Sequence, residues 1–495
     1  MLTSHIISTA DWTRQDIDFL LSLGESMIPH ADNRRFSAQF PDRKAVLAFF
    51  EPSTRTHKSF KQAALNLGMR IDEFSGAEGT SLMKGESLAD TGRMIAGQGA
   101  DVFVLRTTIE GGPRWVAHVI QESEGRKKIV WVLNGGDGRN QHPTQTLLDL
   151  LTIKIRLGRL ENFRIGFVGD LANGRTAMSL LQALRHYEGV EVVLVSPKGT
   201  ELPAQYKIGL NIIRESESLD ALSDCDVVYV TRFQLERIQD PILRREVQGK
   251  YIINAKVLNT WKKTVLIMHP LPSVAEIAPD IKNDPRLIAY NQADNGIPVR
   301  MGLLHRPCVA EFIPITRPAQ VACLARNEEQ QISNERKPVK HFQPIVDGTV
   351  IDHIPPGSAT EVVRMLCQSG CLEGDRPRQL VQYVKSREYE GMKDVLLLHH
   401  LVIPDAIAAT VQLFFPKITI NQLPDNGTIV KKGYTYPKLV ESVFPCPNAA
   451  CVTNHDPEAK TIFVVSGDQR NLPILTCYYC ERLFARETLT GSHHQ

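Results

Sequence analysis

Three hydroxyl residues and a guanidinium stand in a row at Ser53-Thr54-Arg55-Thr56, straight after the apolar run KAVLAFF and Pro52. Where a strand leads into a helix, the first N–H groups of the helix have no intrahelical partner, and hydroxyls with a cation beside them make an oxyanion site. Helix capping is the plainer reading of a Ser or Thr there, but a cap needs one oxygen and no cation. His142 and Gln145, in the run QHPTQ, sit one turn apart where a glycine loop meets a helix start. An imidazole so placed can polarise a carbonyl oxygen without moving a proton; a capping histidine is the alternative. Arg175, in VGDLANGRT, and Arg232 with Gln234, in TRFQ, put two planar guanidinium groups near one rim, which suits a dicarboxylate. His269-Pro270-Leu271-Pro272 closes a further strand with a rigid turn whose carbonyls can meet an ammonium or amide. Ser81 and Lys84, in SLMKGES, lie in an aperiodic stretch that reads as a loop, where a lysine is ordinarily just solvated.

Four cysteines carry different chemistry. Cys446, Cys451, Cys477 and Cys480 follow C-x4-C-x25-C-x2-C, the arrangement of two knuckles that supply four thiolates to a structural zinc, one per chain, with no coordination position left for a substrate. Cys225, Cys308, Cys323, Cys367 and Cys371 are scattered and read as reduced and structural. No organic cofactor is expected.

These residues need rigid elements behind them. The 495 residues, 42% apolar and 23% charged with 57 Lys+Arg against 55 Asp+Glu, exclude a disordered chain and a general nucleic-acid polycation. The N-terminal segment and the absence of a long apolar run lead to the expectation of a cytoplasmic protein without a membrane partner. From Lys44 to Leu157, and again from Phe163 to Pro270, short apolar β-rich runs alternate with amphipathic helical ones. The expected fold is therefore α/β, with two doubly wound parallel-sheet domains at 1–150 and 151–315. In such sheets ligands lie beyond the carboxyl ends of the strands, where Ser53–Thr56, Arg106, Arg232 and His269 fall. A polar linker at 316–340 is expected next. Residues 341–437 then read strand-helix-strand-strand-helix-strand, a ferredoxin-like α+β order, and 438–495 hold the zinc-binding β domain.

In this order, FFEPSTRT, SLMKGES, GDGRNQHPTQTLLDLLTI, VGDLANGRT, TRFQLER and MHPLPSVAEIAPDI resemble the catalytic chain of the aspartate carbamoyltransferase family, over residues 1–315. DGTVIDHIP, Lys393-Asp394 and the cysteine pairs resemble its regulatory chain, over residues 340–490. The chain thus looks like a catalytic and a regulatory polypeptide fused. The resemblance implies transfer of a carbamoyl group from carbamoyl phosphate to L-aspartate, in pyrimidine biosynthesis. By it, Ser53, Thr54, Arg55, Thr56 and Arg106 hold the phosphate, and Thr56, Arg106 and His142 polarise the carbonyl. Gln145 and the Pro270 and Leu271 carbonyls meet the carbamoyl amide, while Lys84, Arg175, Arg232 and Gln234 take the aspartate carboxylates. The loop bearing Ser81 and Lys84 would come from a neighbouring subunit, in an oligomer built from catalytic trimers. Nucleotide effectors would lie against Ile345, Asp352, His353, Lys393, Asn421 and Lys432. Leu397 stands where the family has a second lysine, and Ser273 where it has an arginine, so allosteric control and a purely structural role both stay open for this domain. An ornithine carbamoyltransferase and a catalytically silent scaffold are the rival readings; Pro270 and the anion-binding groups speak against the first, and the presence of every catalytic position against the second.

Overall fold

The computed structural model describes residues 2–33, 39–75, 85–123, 129–233, 249–321, 323–331, 345, 347–372, 378–385, 391–423, 428–467 and 473–490. The chain forms two compact units, Met1–Ile315 and Thr316–Gln495.

In the first unit the apolar runs become two parallel sheets. Strands β1 (Lys44–Phe49), β2 (Arg70–Ser75), β3 (Val102–Thr107) and β4 (Trp131–Asp137) lie in the order β2-β1-β3-β4. Strands β5 (Arg164–Val168), β6 (Glu191–Val195), β7 (Asn211–Ser216), β8 (Val227–Val230) and β9 (Leu266–Met268) lie in the order β7-β6-β5-β8-β9. Every residue of β3 and β4 is buried, as befits parallel strands with both faces covered. β2 and β7 are edge strands that the sequence reading misses, because RIDEFS and NIIRES lack that continuous apolar run. Strand order reverses between β1 and β3 and between β5 and β8, and ligand crevices open at such points.

The main helices of this unit are α1 (Arg14–Asn33), α2 (Thr54–Asn66), α3 (Leu88–Gly97), α4 (Gly112–Glu122), α5 (Pro143–Leu157), α6 (Arg175–Leu184) and α7 (Gly296–Val309). α5 starts on Pro143, whose missing N–H would have been unpaired in any case. It stops at Gly158, where φ is 71° and the N–H reaches the Lys154 carbonyl at 2.9 Å. All of residues 143–153 are buried, and α5 packs on α1, α6 and α7. One apolar core runs from Val104 and Leu133 through Leu147 and Leu151 of α5 to Ile165 and Phe167. α5 is thus the fixed post from which both sheets present their strand ends.

The second unit holds an antiparallel sheet and a smaller one. Strands β10 (Leu324–Gln331), β11 (Gly348–Ile354), β12 (Arg378–Lys385), β13 (Met392–His399), β14 (Thr419–Leu423) and β15 (Thr428–Tyr434) are ordered β10-β15-β14-β11-β13-β12. With α8 (Ala359–Gln368) and α9 (Asp405–Phe414), the inner order β14-β11-β13-β12 is the expected ferredoxin-like core. β10 lies inside 316–340, so that stretch is not all linker: its backbone pairs with β15 from Leu324↔Tyr434 to Gln331↔Thr428. The partner strand is far along the chain, and nothing in LARNEEQQ marks the pairing locally. Strands β16 (Leu439–Glu441), β17 (Ile462–Ser466), β18 (Ile474–Cys477) and β19 (Leu483–Ala485) form the small antiparallel sheet. Among the described residues no helix is long and apolar enough to cross a membrane.

Candidate active site and metal centre

The carboxyl ends of both parallel sheets open on one cleft of about 910 Å³. Ser53 is the N-cap of α2, with φ −157°, yet its hydroxyl makes no capping bond. Thr54, Arg55 and Thr56 form the first turn, and the Arg55 guanidinium has no hydrogen bond to a described residue. Its proton affinity is lowered by partial burial. A Ser53 hydroxyl that makes no capping bond and a cation without a hydrogen bond to a described residue, beside the first N–H groups of a helix, are what an anion requires.

Arg106, at the end of β3, is 6% exposed. Its Nη1 donates to the Gly135 carbonyl at 2.9 Å and its Nη2 meets Glu51 Oε2 at 2.8 Å. Burial first, and the Arg175 charge second, push Arg106 down to about 9, which leaves it a cation at neutral pH. Gly136 makes this packing possible: its φ is 118°, and a Cβ there would stand 2.6 Å from Arg106 Nη1. Arg175 opens α6 and shares Glu51 Oε2 with Arg106, at 3.3 Å. Asp137 organises the loop between β4 and α5, accepting from Asn134 Nδ2, Asn140 Nδ2 and the Gln141 and Gly111 N–H groups at 2.8–3.0 Å. Burial raises its carboxyl to about 6.

That loop delivers His142. The imidazole is buried, its Nε2 lies 3.4 Å from Thr56 Oγ1, and its Nδ1 has no hydrogen-bond partner. Burial, then the charges of Arg175, Arg106 and Arg300, lower its pKa well below the usual 6.5, so the ring is neutral. A neutral imidazole among cations can donate to a developing oxyanion without being a proton source. Gln145 follows one turn on in α5, and its Nε2 donates to Asp149 Oδ1 at 2.9 Å.

The second sheet completes the rim. Arg232, just past β8, is exposed. Pro270 and Leu271, just past β9, line the cleft, with Leu271 at φ 54° and its N–H held by His269 Nδ1 at 2.8 Å. Burial pushes His269 down to about 4 against the opposing pull of Glu276, with Arg55 adding to the fall. The structure therefore gathers Ser53, Thr54, Arg55, Thr56, Arg106, His142, Gln145, Arg175, Arg232, Pro270 and Leu271 round one opening. Ser81, Lys84 and Gln234 lie outside the described residues. Sequence reasoning passes over Glu51 as a site residue, and over Asp149, Gln292 and Arg300. The signal for Asp149 and Arg300 was a lone charge inside the apolar helical runs LLDLL and IPVRMGLL.

In the second unit, the Sγ atoms of Cys446, Cys451, Cys477 and Cys480 all lie within 4.8 Å of one another, and all four residues are buried. Cys446–Cys480 and Cys451–Cys477 are each 3.7 Å apart. With metal–sulfur bonds of about 2.3 Å, a tetrahedron has S···S edges of about 3.8 Å, so the four thiols fit a tetrahedral metal. Thr453 Oγ1 donates to Cys451 Sγ at 3.3 Å, a bond that would steady a thiolate.

The residues expected around an effector fall on four neighbouring strands, with Ile345 just before them. Asp352 and His353 are on β11, Lys393 on β13, Asn421 on β14 and Lys432 on β15. Register sets one of them apart from the others. Asn421 pairs with Val350 and Lys431, whereas Lys432 pairs with Ile420, itself opposite Ile351. Side chains alternate between faces, so Lys431 shares the face of Asn421 and Asp352, and Lys432 projects to the other, where it binds Asp405 of α9 at 2.9 Å.

The carbamoyl-phosphate-binding domain of the aspartate/ornithine carbamoyltransferases matches residues 4–155, and their aspartate/ornithine-binding domain matches 161–306. The catalytic subunit of aspartate carbamoyltransferase from Thermococcus onnurineus is 40% identical over 304 residues, 60% of this chain and 95% of that one. The chain belongs to the aspartate carbamoyltransferase family. The enzyme subunit from Thermococcus gammatolerans is 42% identical over 306 residues, 60% of this chain and 96% of its own. Among solved structures, the catalytic subunit of M. jannaschii aspartate transcarbamoylase covers 61% of this chain and 97% of its own at 40% identity, with a TM-score of 0.55. The Trypanosoma cruzi enzyme in complex with carbamoyl phosphate and aspartate covers 61% and 95% at 30% identity, with a TM-score of 0.55. These aspartate-named relatives disfavour the ornithine reading. The allosteric domain of the aspartate carbamoyltransferase regulatory chain matches residues 340–435 and its metal-binding domain 438–490, so family domains of both kinds occur in one chain.

Proposed function

We propose that this chain transfers the carbamoyl group of carbamoyl phosphate to L-aspartate, giving N-carbamoyl-L-aspartate and phosphate for pyrimidine biosynthesis. The observation that carries the reading is the neutral, buried His142 ring, with an unpartnered Nδ1, set among Arg106, Arg175 and the Ser53–Thr56 hydroxyls. The phosphate lies against Ser53, Thr54, Arg55, Thr56 and Arg106. Thr56, Arg106 and His142 hold the carbonyl oxygen as it gains charge. Gln145 and the Pro270 and Leu271 carbonyls accept from the carbamoyl NH2. Arg175, Arg232, Gln234 and Lys84 take the aspartate carboxylates. The neutral α-amine of aspartate attacks the carbamoyl carbon, a tetrahedral oxyanion forms and collapses to the carbonyl as the C–O bond to phosphate breaks, and the departing phosphate takes the amine's proton. No enzyme nucleophile takes part: the rate comes from holding two mutually repelling anions at bonding distance and from donors aimed at the oxyanion. A colorimetric assay of carbamoyl aspartate, with ornithine as control acceptor, tests this. Product from aspartate and none from ornithine is expected; the reverse, or no product, overturns it.

The site is completed by Ser81 and Lys84 of a neighbouring subunit in a catalytic trimer. Mixing inactive Lys84→Ala and Arg55→Ala proteins should regenerate some sites with neither lesion; no recovery after subunit exchange refutes the sharing. The four-thiolate centre holds one zinc per chain in a structural role. Metal analysis of the purified protein checks the ion, and Cys446→Ser should lose it.

On the regulatory side, nucleotide phosphates would meet Lys393 and Lys431 on the open sheet face, beside Asn421 and Asp352. The second reading, a structural role alone, is favoured by Leu397, which pairs with Val350 and so sets an apolar side chain on that same face.

A further inference from the structure

Asp149 is fully buried in α5, and no substrate contact explains a carboxyl there. Its Oδ1 accepts from Gln145 Nε2 at 2.9 Å and from Gln292 Nε2 at 2.6 Å, while Oδ2 accepts from the Tyr229 hydroxyl at 2.9 Å. The partners come from α5, from the segment Ala289–Asp294 and from β8. Oδ1 accepts from both carboxamides whether the carboxyl is ionised or carries its proton on Oδ2, where the Tyr229 hydroxyl can rotate to accept, so both must turn their NH2 groups inward and their oxygens outward. For Gln292 the outward Oε1 is occupied: it accepts the His269 N–H at 2.9 Å. His269 Nδ1 in turn accepts from Leu271 N at 2.8 Å, pinning the turn where Leu271 has a positive φ. For Gln145 the outward oxygen is left for the cleft.

We propose that Asp149 is a positioning residue that orients every acceptor meeting the carbamoyl NH2: the Gln145 carboxamide directly, and the Pro270–Leu271 turn through Gln292 and His269. The inference rests on the carbamoyl phosphate reading of this cleft. The two N–H groups of the carbamoyl nitrogen are what separate it from an acetyl group of nearly the same size. A site built to pair such donors rejects the analogue that lacks them, because its own polar groups are then left unpaired. If Gln145 could flip, it would present donors to donors. Asp149 forbids the flip, and the buried stretch 143–153 of α5 keeps Asp149 in place.

The test is selectivity between carbamoyl phosphate, read as KM, and acetyl phosphate, read as its inhibition constant against carbamoyl phosphate. The proteins are the parent, Asp149→Ala, Asp149→Asn and Gln292→Met. Asparagine keeps an Oδ1 acceptor for both carboxamides and offers its Nδ2 to Tyr229, whose hydroxyl can rotate to accept. Asp149→Ala should lose on the order of tenfold to a hundredfold of the preference for carbamoyl phosphate, with acetyl phosphate affinity held within about threefold. Asp149→Asn should restore most of the preference, and Gln292→Met should show an intermediate loss. Equal weakening of both compounds in Asp149→Ala, or an asparagine variant as unselective as the alanine one, overturns the proposal. Should Asp149→Ala not fold, a Gln292→Met protein with parental selectivity overturns it instead. A parent that binds carbamoyl and acetyl phosphate alike would overturn the reading of the cleft and, with it, the proposal.

Discussion

The cleft of the first unit and the open sheet face of the second both carry the residue types that hold phosphates, but they spend them differently. In the cleft, Arg106 and Arg175 share one carboxylate, Glu51, while Arg55 has no hydrogen bond to a described residue and Ser53 does not cap its helix. Positive charge is in excess of what the fold consumes. On the sheet face, Lys393 is already held by Asp352 at 2.7 Å, the position four residues on is the apolar Leu397, and the exposed Lys431 is a further cation on that face. A site that still has unpaired donors attracts an anion without first breaking anything. A site whose cation is bonded internally must exchange one partner for another, and gains little.

The sharpest way to break this contrast is to remove the surplus. Arg55→Ala and Arg106→Ala should each lower kcat by on the order of a hundredfold to a thousandfold, about 2.7–4 kcal/mol of barrier, in the carbamoyl aspartate assay. Near-normal turnover in Arg55→Ala would show that its unpaired state has no bearing on phosphate binding. Lys393→Ala, by contrast, should leave the catalytic constants at saturating substrate close to those of the parent.

His142→Ala comes next. It should cut kcat severely, by about a hundredfold, with a smaller change in the KM for carbamoyl phosphate, because the imidazole meets charge that exists only in the transition state. Since burial and three arginines keep the ring neutral, the acid limb of the kcat profile should not carry a histidine pKa near 6.5 that vanishes in this variant. A limb near 6.5 abolished by His142→Ala would contradict the neutral ring.

A third effect is one of stability and has a sign. Burial raises the Asp149 carboxyl to about 7, opposed by the bonds from Gln292, Tyr229 and Gln145 and by the charge of Arg300, against 3.8 for the unfolded chain. The folded state then binds the extra proton across pH 4–7, and the stability that Asp149 contributes is present at pH 4 and lost as the pH rises through 7. Asp149→Asn has no proton to lose there. Its stability relative to the parent should therefore climb between pH 4 and 7, by up to about 1.4 kcal/mol per pH unit. Denaturant melts of both proteins at pH 4.5, 5.5 and 6.5 would read the slope; a flat difference would place the carboxylate pKa near its ordinary value.

The chemistry-bearing turns were legible in the sequence because each follows a largely buried strand, and buried strands of parallel sheets are continuous apolar runs. VFVLR, IVWVLN and RIGFV announce themselves, so Arg106 and the segments leading to His142 and Arg175 could be placed at strand ends. The cysteine spacing was legible for another reason: a metal site depends on local knuckles rather than on the fold around it. Strands of mixed or polar sequence were not. RIDEFS, NIIRES and LARNEEQQ are strands because a neighbour's backbone reaches them, and that neighbour is set by the fold. The support of the site was also hidden. Asp149 meets Tyr229 and Gln292 only once α5 is enclosed, and Glu51 meets Arg106 and Arg175 only when strand ends of both sheets face one opening. Sequence order shows what each segment carries, and tertiary packing decides which segments meet.

The smallest effect separates two adjacent lysines and tests whether register was read correctly. Lys431 is exposed on the face of Asn421 and Asp352, whereas Lys432 points to the helix-covered face and binds Asp405, which also accepts from the Tyr434 hydroxyl at 3.1 Å. Breaking a partly exposed pair of this kind costs about 0.5 kcal/mol. Lys432→Ala should therefore lower the stability of the regulatory unit slightly and leave nucleoside triphosphate binding, measured by calorimetry, unchanged. Lys431→Ala should do the opposite: no loss of stability, and weaker triphosphate binding wherever the parent binds at all. A shift of one residue in the pairing of β14 with β15 would exchange the two outcomes, because side chains on successive residues face opposite ways. A parent that binds no triphosphate would mean that the bonded Lys393 and the apolar Leu397 decide the matter, and that the sheet face is structural.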